Sequence, residues 1–256
     1  MNKNFDNKNT FNPAKNSTSG STVNKISTIL LDFDGTITKQ DTVASFFMQF
    51  GEENWMEIEK DWIDGKIGSK ECMLLQLDTI KHLTEEKLYN FLNSIEIQDG
   101  FIEFCTEAKK RRKEITIISD GFDFFISYIL KKEKSDHIKF YTNHLEVLKK
   151  DNFLKFNLTF PYENKNCTSG LGSCKCAHAK AITKDENFIY AGDGLSDRCI
   201  ASKAHLLFAK NSLKKHCLKN NIKFVEFEDF FQISDYLFKE GTTEDARVET
   251  KGAFRG

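Results

Sequence analysis

The chain of 256 residues is poor in several things that would define other classes of protein. It lacks a charge excess: 37 basic against 38 acidic residues give a formal net charge of −1, which argues against nucleic acid as the main partner. It lacks an apolar run of the ~18 residues needed to span a bilayer, so no membrane association is expected. The first 25 residues, MNKNFDNKNTFNPAKNSTSGSTVNK, hold no apolar core of the kind a secretory signal requires. Only two prolines occur, and one of them, Pro161, lies between the polar ends. Seven cysteines, an odd number at irregular spacing, do not form a disulfide framework in a chain this size, which points to a reducing cytoplasm.

Material for a core is abundant. Hydrophobic residues make up 39% of the chain and 24 residues are Phe. Residues 1–25 and 241–256 are polar with little to bury, and both are expected to be disordered tails. The part between opens with a continuous apolar run over 26–34, the signature of a strand buried on both faces of a parallel sheet. A second run, ITIIS, ends at Ser119, and a third, FIYAGD, ends at Asp193. Shorter ones fall at 206–209 and 223–225. Helical patterns lie between them, at about 99–112, 123–132, 196–203, 211–219 and 228–238. Strands alternating with helices predict a doubly wound, Rossmann-like α/β parallel sheet.

Two segments break the alternation. Residues 41–95 read as three or four helices, with Ser69 and Thr84 as N-caps. Residues 144–159 alternate about Asp151-Asn152 and predict a β-hairpin. The expected organisation is a core of 26–40 and 96–240 with a helical cap of 41–95 inserted in it.

In open parallel sheets, ligands bind beyond the carboxyl ends of the strands. There the sequence places Asp32, Asp34, Gly35 and Thr36, then Ser119, Asp120 and Gly121, then Asp193 and Asp197, with Lys175 a helix's length upstream of the third strand. Several carboxylates at one place repel each other, and a hard cation such as Mg²⁺ relieves that while tolerating oxygen ligands and a substrate phosphate. A hydroxyl and an ammonium would orient the other phosphate oxygens. Gly35 permits the turn that lets Asp32 and Asp34 face one site.

DFDGT at 32–36, Ser119, Lys175 and GDGLSD at 192–197 resemble, in order, the four motifs of the haloacid dehalogenase (HAD) superfamily. The resemblance covers about 27–238. It implies a phosphatase in which Asp32 attacks phosphorus and Asp34 serves as general acid and then base. It also implies Mg²⁺ on Asp32, the Asp34 carbonyl and Asp193, with Asp197 behind the metal's waters. Ser119 and Lys175 would hold the phosphoryl oxygens, joined by Thr36 and the Asp120-Gly121 segment. The inserted helices are similar to the cap of the phosphoserine-phosphatase-like branch. Asp41, GSKEC at 68–72, SDGFDFF at 119–125 and LGSCK at 171–175 most resemble a narrower group. That group includes the 2-hydroxy-3-keto-5-methylthiopentenyl-1-phosphate phosphatases of methionine salvage. Phosphocholine/phosphoethanolamine phosphatases, phosphoserine phosphatases, phosphotransferases and an inactive HAD-fold binding protein are the alternatives.

The expected partner is therefore a small phosphorylated metabolite. Asp41 is read as an N-cap that can also touch substrate. Lys180 is a neighbour that could replace Lys175. Cys167, Cys174, Cys176 and His178 raise either a zinc site or thiols packing a loop, and the spacing lacks paired CxxC knuckles. Cys72, Cys105, Cys199 and Cys217 fall on helical patterns as packing residues. Trp55 and Trp62, seven apart, either build core on one helix face or roof the site.

Overall fold

The computed structural model describes residues 25–167, 170–184 and 186–239, so the two expected tails, but for Lys25, lie outside the described residues. Strand β1 (Thr28–Leu31) forms the middle of a seven-stranded sheet of order β4-β3-β2-β1-β5-β6-β7. Its other members are β2 (Glu114–Phe122), β3 (Lys139–Lys150), β4 (Phe153–Thr159), β5 (Ile189–Gly192), β6 (Leu206–Ala209) and β7 (Val225–Glu226). All neighbours run parallel except β3 and β4.

The apolar run of β1 is continuous because both faces are covered. Ile29 and Leu31 enter one buried cluster, while Leu30 joins Ile118, Tyr190 and Leu207 in the other. Helices α5 (Phe101–Lys110), α6 (Asp123–Lys132) and α10 (Phe230–Phe238) cover the first face. Helices α7 (Lys175–Thr183), the short α8 (Arg198–Ala201) and α9 (Asn211–Lys219) cover the second. This is the doubly wound α/β sheet expected from the sequence.

Four further helices lie between β1 and α5: α1 (Thr42–Phe50), α2 (Trp55–Ile63), α3 (Ser69–Leu77) and α4 (Glu85–Ser94). The chain enters and leaves them side by side. Thr38 forms an antiparallel bridge with Ile97, Lys39 N donates to Glu96 O at 2.9 Å and Gln98 N donates to Ile37 O at 2.7 Å. Phe46 of α1 joins the insert to the sheet's helices. It meets Phe125 of α6 edge-on with ring centroids 5.1 Å apart, and Phe91 of α4 at 5.7 Å. Fully burying such a side chain contributes about 2–3 kcal/mol.

Three local expectations change. The second strand does not end at Ser119 but continues to Phe122, with a register shift against β3 between Ile118 and Phe122. An irregular stretch of this kind re-aims side chains, and it carries Ser119, Asp120 and Gly121. The hairpin about Asp151 is present, yet its first strand also pairs in parallel with β2 through Lys139–Asn143, so it is part of the main sheet. Thr84 caps α4, but Ser69 does not cap α3; Gly68 takes the N-cap position and the serine side chain is used elsewhere.

Candidate active site

Just beyond β1 the backbone N–H of Asp32 still donates to Ala191 O of β5 at 2.9 Å. Then the chain turns tightly, with the N–H groups of Thr36, Ile37 and Thr38 all directed at Phe33 O. Gly35 makes this possible with φ +71°, and a Cβ there would lie 2.6 Å from Asp193 Oδ2. The turn brings Asp34 back beside the strands. Its Oδ1 accepts from Thr42 N at 3.2 Å and from the Thr42 hydroxyl, and its Oδ2 accepts from Ser119 Oγ at 3.1 Å. Burial raises the Asp34 carboxyl above the usual range, against the pull of these donors.

Lys175, the first residue of α7, is fully buried and its ammonium is shared. Nζ lies 2.7 Å from Asp32 Oδ1, 2.5 Å from Asp197 Oδ1 and 2.9 Å from Ser196 Oγ. Burial opposes the charge, but Asp197 and Asp32 outweigh it and hold Lys175 above the ordinary lysine value. Lys180, the sequence alternative, is exposed. Asp197 is saturated by protein donors: Lys175 and the Tyr190 hydroxyl (2.5 Å) on Oδ1, and the backbone N–H of Asp193 and Gly194 (both 2.9 Å) on Oδ2. A carboxylate with four donors is a brace for the Asp193 backbone and for Lys175.

Asp193 follows β5. Its Oδ1 accepts from Thr36 Oγ1 at 3.2 Å and its Oδ2 from Asn211 Nδ2 at 3.1 Å. Burial, then the charge of Asp197, pushes its pKa up to about 6. Asp32 is likewise raised, first by burial and then by Asp197. Among the described residues, Asp32, Asp193 and Asp197 are the one group of three potential metal-ligating side chains whose ligand atoms lie within 4.8 Å of one another. Three carboxylates against one ammonium suit a divalent cation, and the donor set, all oxygen, is that of Mg²⁺. With Asp197 occupied by its donors, Asp32 and Asp193 are the side chains left to hold one.

Ser119 Oγ also accepts from Gly121 N at 2.9 Å. A Cβ on Gly121 would stand 2.3 Å from Asp34 Oδ2, so glycine is required by this approach. Asp120 has turned its carboxylate to three donors: the Ser69 hydroxyl, Ser173 N (2.7 Å) and Asn143 Nδ2 (3.2 Å). Asp41 caps α1 by accepting from Ala44 N at 2.9 Å and also lines the cavity above the site. That cavity is walled by Val43, Trp62 and Met73, and by Glu59, whose carboxylate accepts from Gln76 Nε2 at 2.8 Å.

All ten sequence-predicted site residues therefore meet at one end of the sheet. Thr36 stands behind Asp193, and Asp120 is tied to protein donors. Sequence reasoning missed Thr42, Tyr190, Asn211, Ser173, Asn143 and Glu59. Thr42 and Ser173 sit next to recognised residues, but none of the six belongs to an apolar run's polar end. Helix α2 buries none of its residues fully, so Trp62 is cavity wall, while Trp55 packs partly against the core. Cys167, Cys174, Cys176 and His178 do not converge as a ligand set. His178 Nε2 lies 2.9 Å from Ser173 Oγ and its ring stacks on Tyr141, while Cys176 pairs with Cys199 and Cys174 neighbours Cys167. All seven thiols are free. Cys72 and Cys217 are buried on α3 and α9, and Cys105 and Cys199 half-buried on α5 and α8.

Sheet order, inserted helices and the Asp32–Lys175–Asp197 network define an α/β protein with a buried carboxylate–ammonium site at its strand ends. The chain belongs to the haloacid dehalogenase-like hydrolase family, whose family model matches residues 29–202. It is similar to proteins named 2-hydroxy-3-keto-5-methylthiopentenyl-1-phosphate phosphatase. One from an Exiguobacterium species is 28% identical over 213 residues, 82% of this chain and 96% of the relative. Another from Bacillus pumilus is 28% identical over 214 residues, 80% and 88% of the two chains. Solved structures share the fold: a substrate-bound phosphoserine phosphatase at TM-score 0.61 and 23% identity, covering 83% of this chain and 98% of the other. A HAD family hydrolase from Salmonella enterica serovar Typhi matches at TM-score 0.63 and 19% identity, covering 84% and 71%. Among the described residues no helix is long and apolar enough to cross a membrane.

Proposed function

We propose that this chain is a Mg²⁺-dependent phosphomonoesterase that hydrolyses a small phosphorylated metabolite through an aspartyl-phosphate on Asp32. The observation that carries the reading is the buried Lys175 ammonium 2.7 Å from Asp32 Oδ1. It fixes one carboxylate oxygen, already bonded to Phe33 N at 2.8 Å, and leaves Oδ2 for attack on phosphorus. As the Oδ2–P bond forms and the ester P–O bond breaks, Asp34 gives its proton to the leaving oxygen. Water then attacks the phosphoryl group, Asp34 takes the water's proton, and Asp32 is regenerated as carboxylate. Ser119 and Lys175 hold phosphoryl oxygens, and Thr36 orients Asp193.

Asp32, Asp193 and the Asp34 carbonyl would hold Mg²⁺, which when bound neutralises charge on the phosphoryl oxygens. A raised Asp34 carboxyl suits a group that must carry a proton near neutral pH, and its cause is burial.

The relatives' name makes 2-hydroxy-3-keto-5-methylthiopentenyl-1-phosphate the first ester to test, and the apolar wall of Val43, Trp62 and Met73 fits a substrate with an apolar end. Glu59 and Asp41 on the same cavity favour a second reading, an amino-alcohol ester such as phosphocholine, phosphoethanolamine or phosphoserine. Seven free thiols are in keeping with the cytoplasm. Phosphate release from these esters, with Mg²⁺ and with chelator, beside Asp32→Asn, tests the proposal. Metal-dependent release abolished by Asp32→Asn supports it; release unchanged by chelator or by Asp32→Asn contradicts it.

A further inference from the structure

Asp120 is one residue past Ser119, at the cavity wall, where an unpartnered carboxylate would be open to substrate. Its oxygens are instead occupied by donors from three parts of the fold. Oδ2 accepts from the hydroxyl of Ser69, the first residue of α3 in the insert. Oδ1 accepts from Ser173 N at 2.7 Å, in the turn that leads to Lys175, and from Asn143 Nδ2 of β3 at 3.2 Å. Asn143 Nδ2 also donates to Asp120 O at 2.8 Å, which pins the backbone of the irregular stretch.

A separate set of contacts joins the same two segments. Lys70 N donates to Gly170 O at 3.4 Å, and Lys70 Nζ pairs with Glu163 at 2.8 Å. The backbones cross with no room for a side chain: a Cβ on Gly68 would lie 2.8 Å from Gly170 O, and one on Gly170 3.0 Å from Gly68 Cα. A Cβ on Gly172 would stand 2.7 Å from Asn143 Oδ1 and 2.4 Å from the Phe160 ring. The start of α3 is thus seated against the 170–174 turn along a line that runs through Asp120.

We propose that Asp120 is a positioning residue that couples the seating of the inserted helix α3 to the placement of Ser119 and Lys175. This rests on the phosphatase reading above. When α3 is seated, Ser69 completes the set of donors on Asp120, and the carboxylate holds the Ser173–Lys175 turn against the strand that bears Ser119. When α3 moves away, Asp120 loses its Ser69 partner and Gly170 O loses its bond from Lys70 N at the same time. The insert thereby reports its position to the phosphoryl-holding side chains without touching the phosphate.

The chemistry separates this role from direct contact with a cationic substrate. In Asp120→Asn the amide oxygen still accepts from Ser173 N, and the amide N–H can donate to Ser69 Oγ, which accepts as readily as it donates. The negative charge, however, is gone. A positioning role survives that change and a charge-pairing role does not.

The test uses the full chain as wild type, Ser69→Ala, Asp120→Asn, Asp120→Ala and the Ser69→Ala/Asp120→Ala double variant. Two quantities are read: kcat and KM on the best ester, and backbone hydrogen exchange without substrate. Ser69→Ala and Asp120→Ala are each expected to lower kcat about tenfold or more, with KM changed less. The double variant should be no worse than Asp120→Ala, and Asp120→Asn should stay within about threefold of wild type. Ser69→Ala should raise exchange at 171–176, about a hundred residues away in sequence. Additive losses in the double variant overturn the proposal, as does unchanged exchange at 171–176 in Ser69→Ala. An Asp120→Asn enzyme as impaired as Asp120→Ala assigns the carboxylate to substrate and also overturns it. Exchange is read without substrate, so absence of turnover on every ester counts against the phosphatase reading and leaves the coupling measurable.

Discussion

Lys175 Nζ and Asp32 Oδ1 stand 2.7 Å apart in a site where the lysine side chain is fully buried and the aspartate 5% exposed. The pair is held from both directions, by Asp197 and Ser196 on the ammonium and by Phe33 N on the carboxylate. Removing the cation leaves Asp32 and Asp197 buried with no opposite charge beside them, which costs about 3–5 kcal/mol for a buried ion pair that loses one partner. Lys175→Met is expected to lower kcat by at least about a hundredfold, on the order of 3 kcal/mol, and to lower the melting temperature. Steady-state kinetics and a thermal melt check this, and a Lys175→Met protein with wild-type kcat would contradict it.

Gly121 is fixed by the approach of Asp34 Oδ2, 2.3 Å from where a Cβ would stand. Gly121→Ala must push Asp34 away from Ser119 while leaving the core clusters intact. The expected result is a cooperative melt within a few degrees of wild type with kcat lowered about tenfold or more. Gly65, whose added Cβ meets nothing within 4 Å, supplies the control: Gly65→Ala should keep full activity even though its φ of +75° costs stability.

His178 gives a pH dependence with a definite sign. Burial pulls its pKa down to about 4, against 6.5 for a free imidazole. A histidine depressed in the folded state stays neutral while its unfolded counterpart takes up a proton. Its contribution to stability is therefore full above pH 6.5 and is lost as pH falls towards about 4. His178→Gln can keep a bond to Ser173 Oγ but does not titrate. The drop in melting temperature from pH 7.5 to pH 5 should be smaller in His178→Gln than in wild type; an equal or larger drop in the variant contradicts this.

Asp193 faces Asp32 and Asp197 with one ammonium among them, so the metal-free protein carries unrelieved negative charge. Asp193→Asn is expected to raise the melting temperature in chelator by removing one carboxylate. It should also abolish the further rise that Mg²⁺ gives wild type, because a ligand has been lost. A titration of Mg²⁺ against melting temperature for both proteins decides it. A variant that responds to Mg²⁺ as wild type does would remove Asp193 from the metal site.

The strand ends carrying Asp32 and Asp193 were legible because β1 and β5 are short, buried on both faces and therefore continuous in apolar residues, with polar residues only where the sheet stops. The end of β2 was not, because Ser119, Asp120 and Gly121 belong to an irregular continuation whose pairing depends on β3. The parallel half of β3 escaped for a related reason: it runs from exposed Lys139 to buried, polar Thr142 and Asn143, and its place is set by β2 rather than by its own pattern. Ser69 looked like a cap because serine before a helix usually is one, yet Asp120, 51 positions away, takes its hydroxyl. Lys175 could be told from Lys180 only by a motif in the sequence, whereas burial separates them at once. Local chemistry was readable; contacts made across the insert were not.

A covalent phosphoryl group on Asp32 can be caught by acid-quenched trapping. Wild-type protein is mixed with the best ester carrying a ³²P-labelled phosphate and Mg²⁺, then quenched in acid within the first turnover. The expected result is label bound to the protein, released by hydroxylamine, mapping to the peptide that holds Asp32 and absent from Asp32→Asn. Turnover without any trapped label, or label of equal amount on Asp32→Asn, would contradict it.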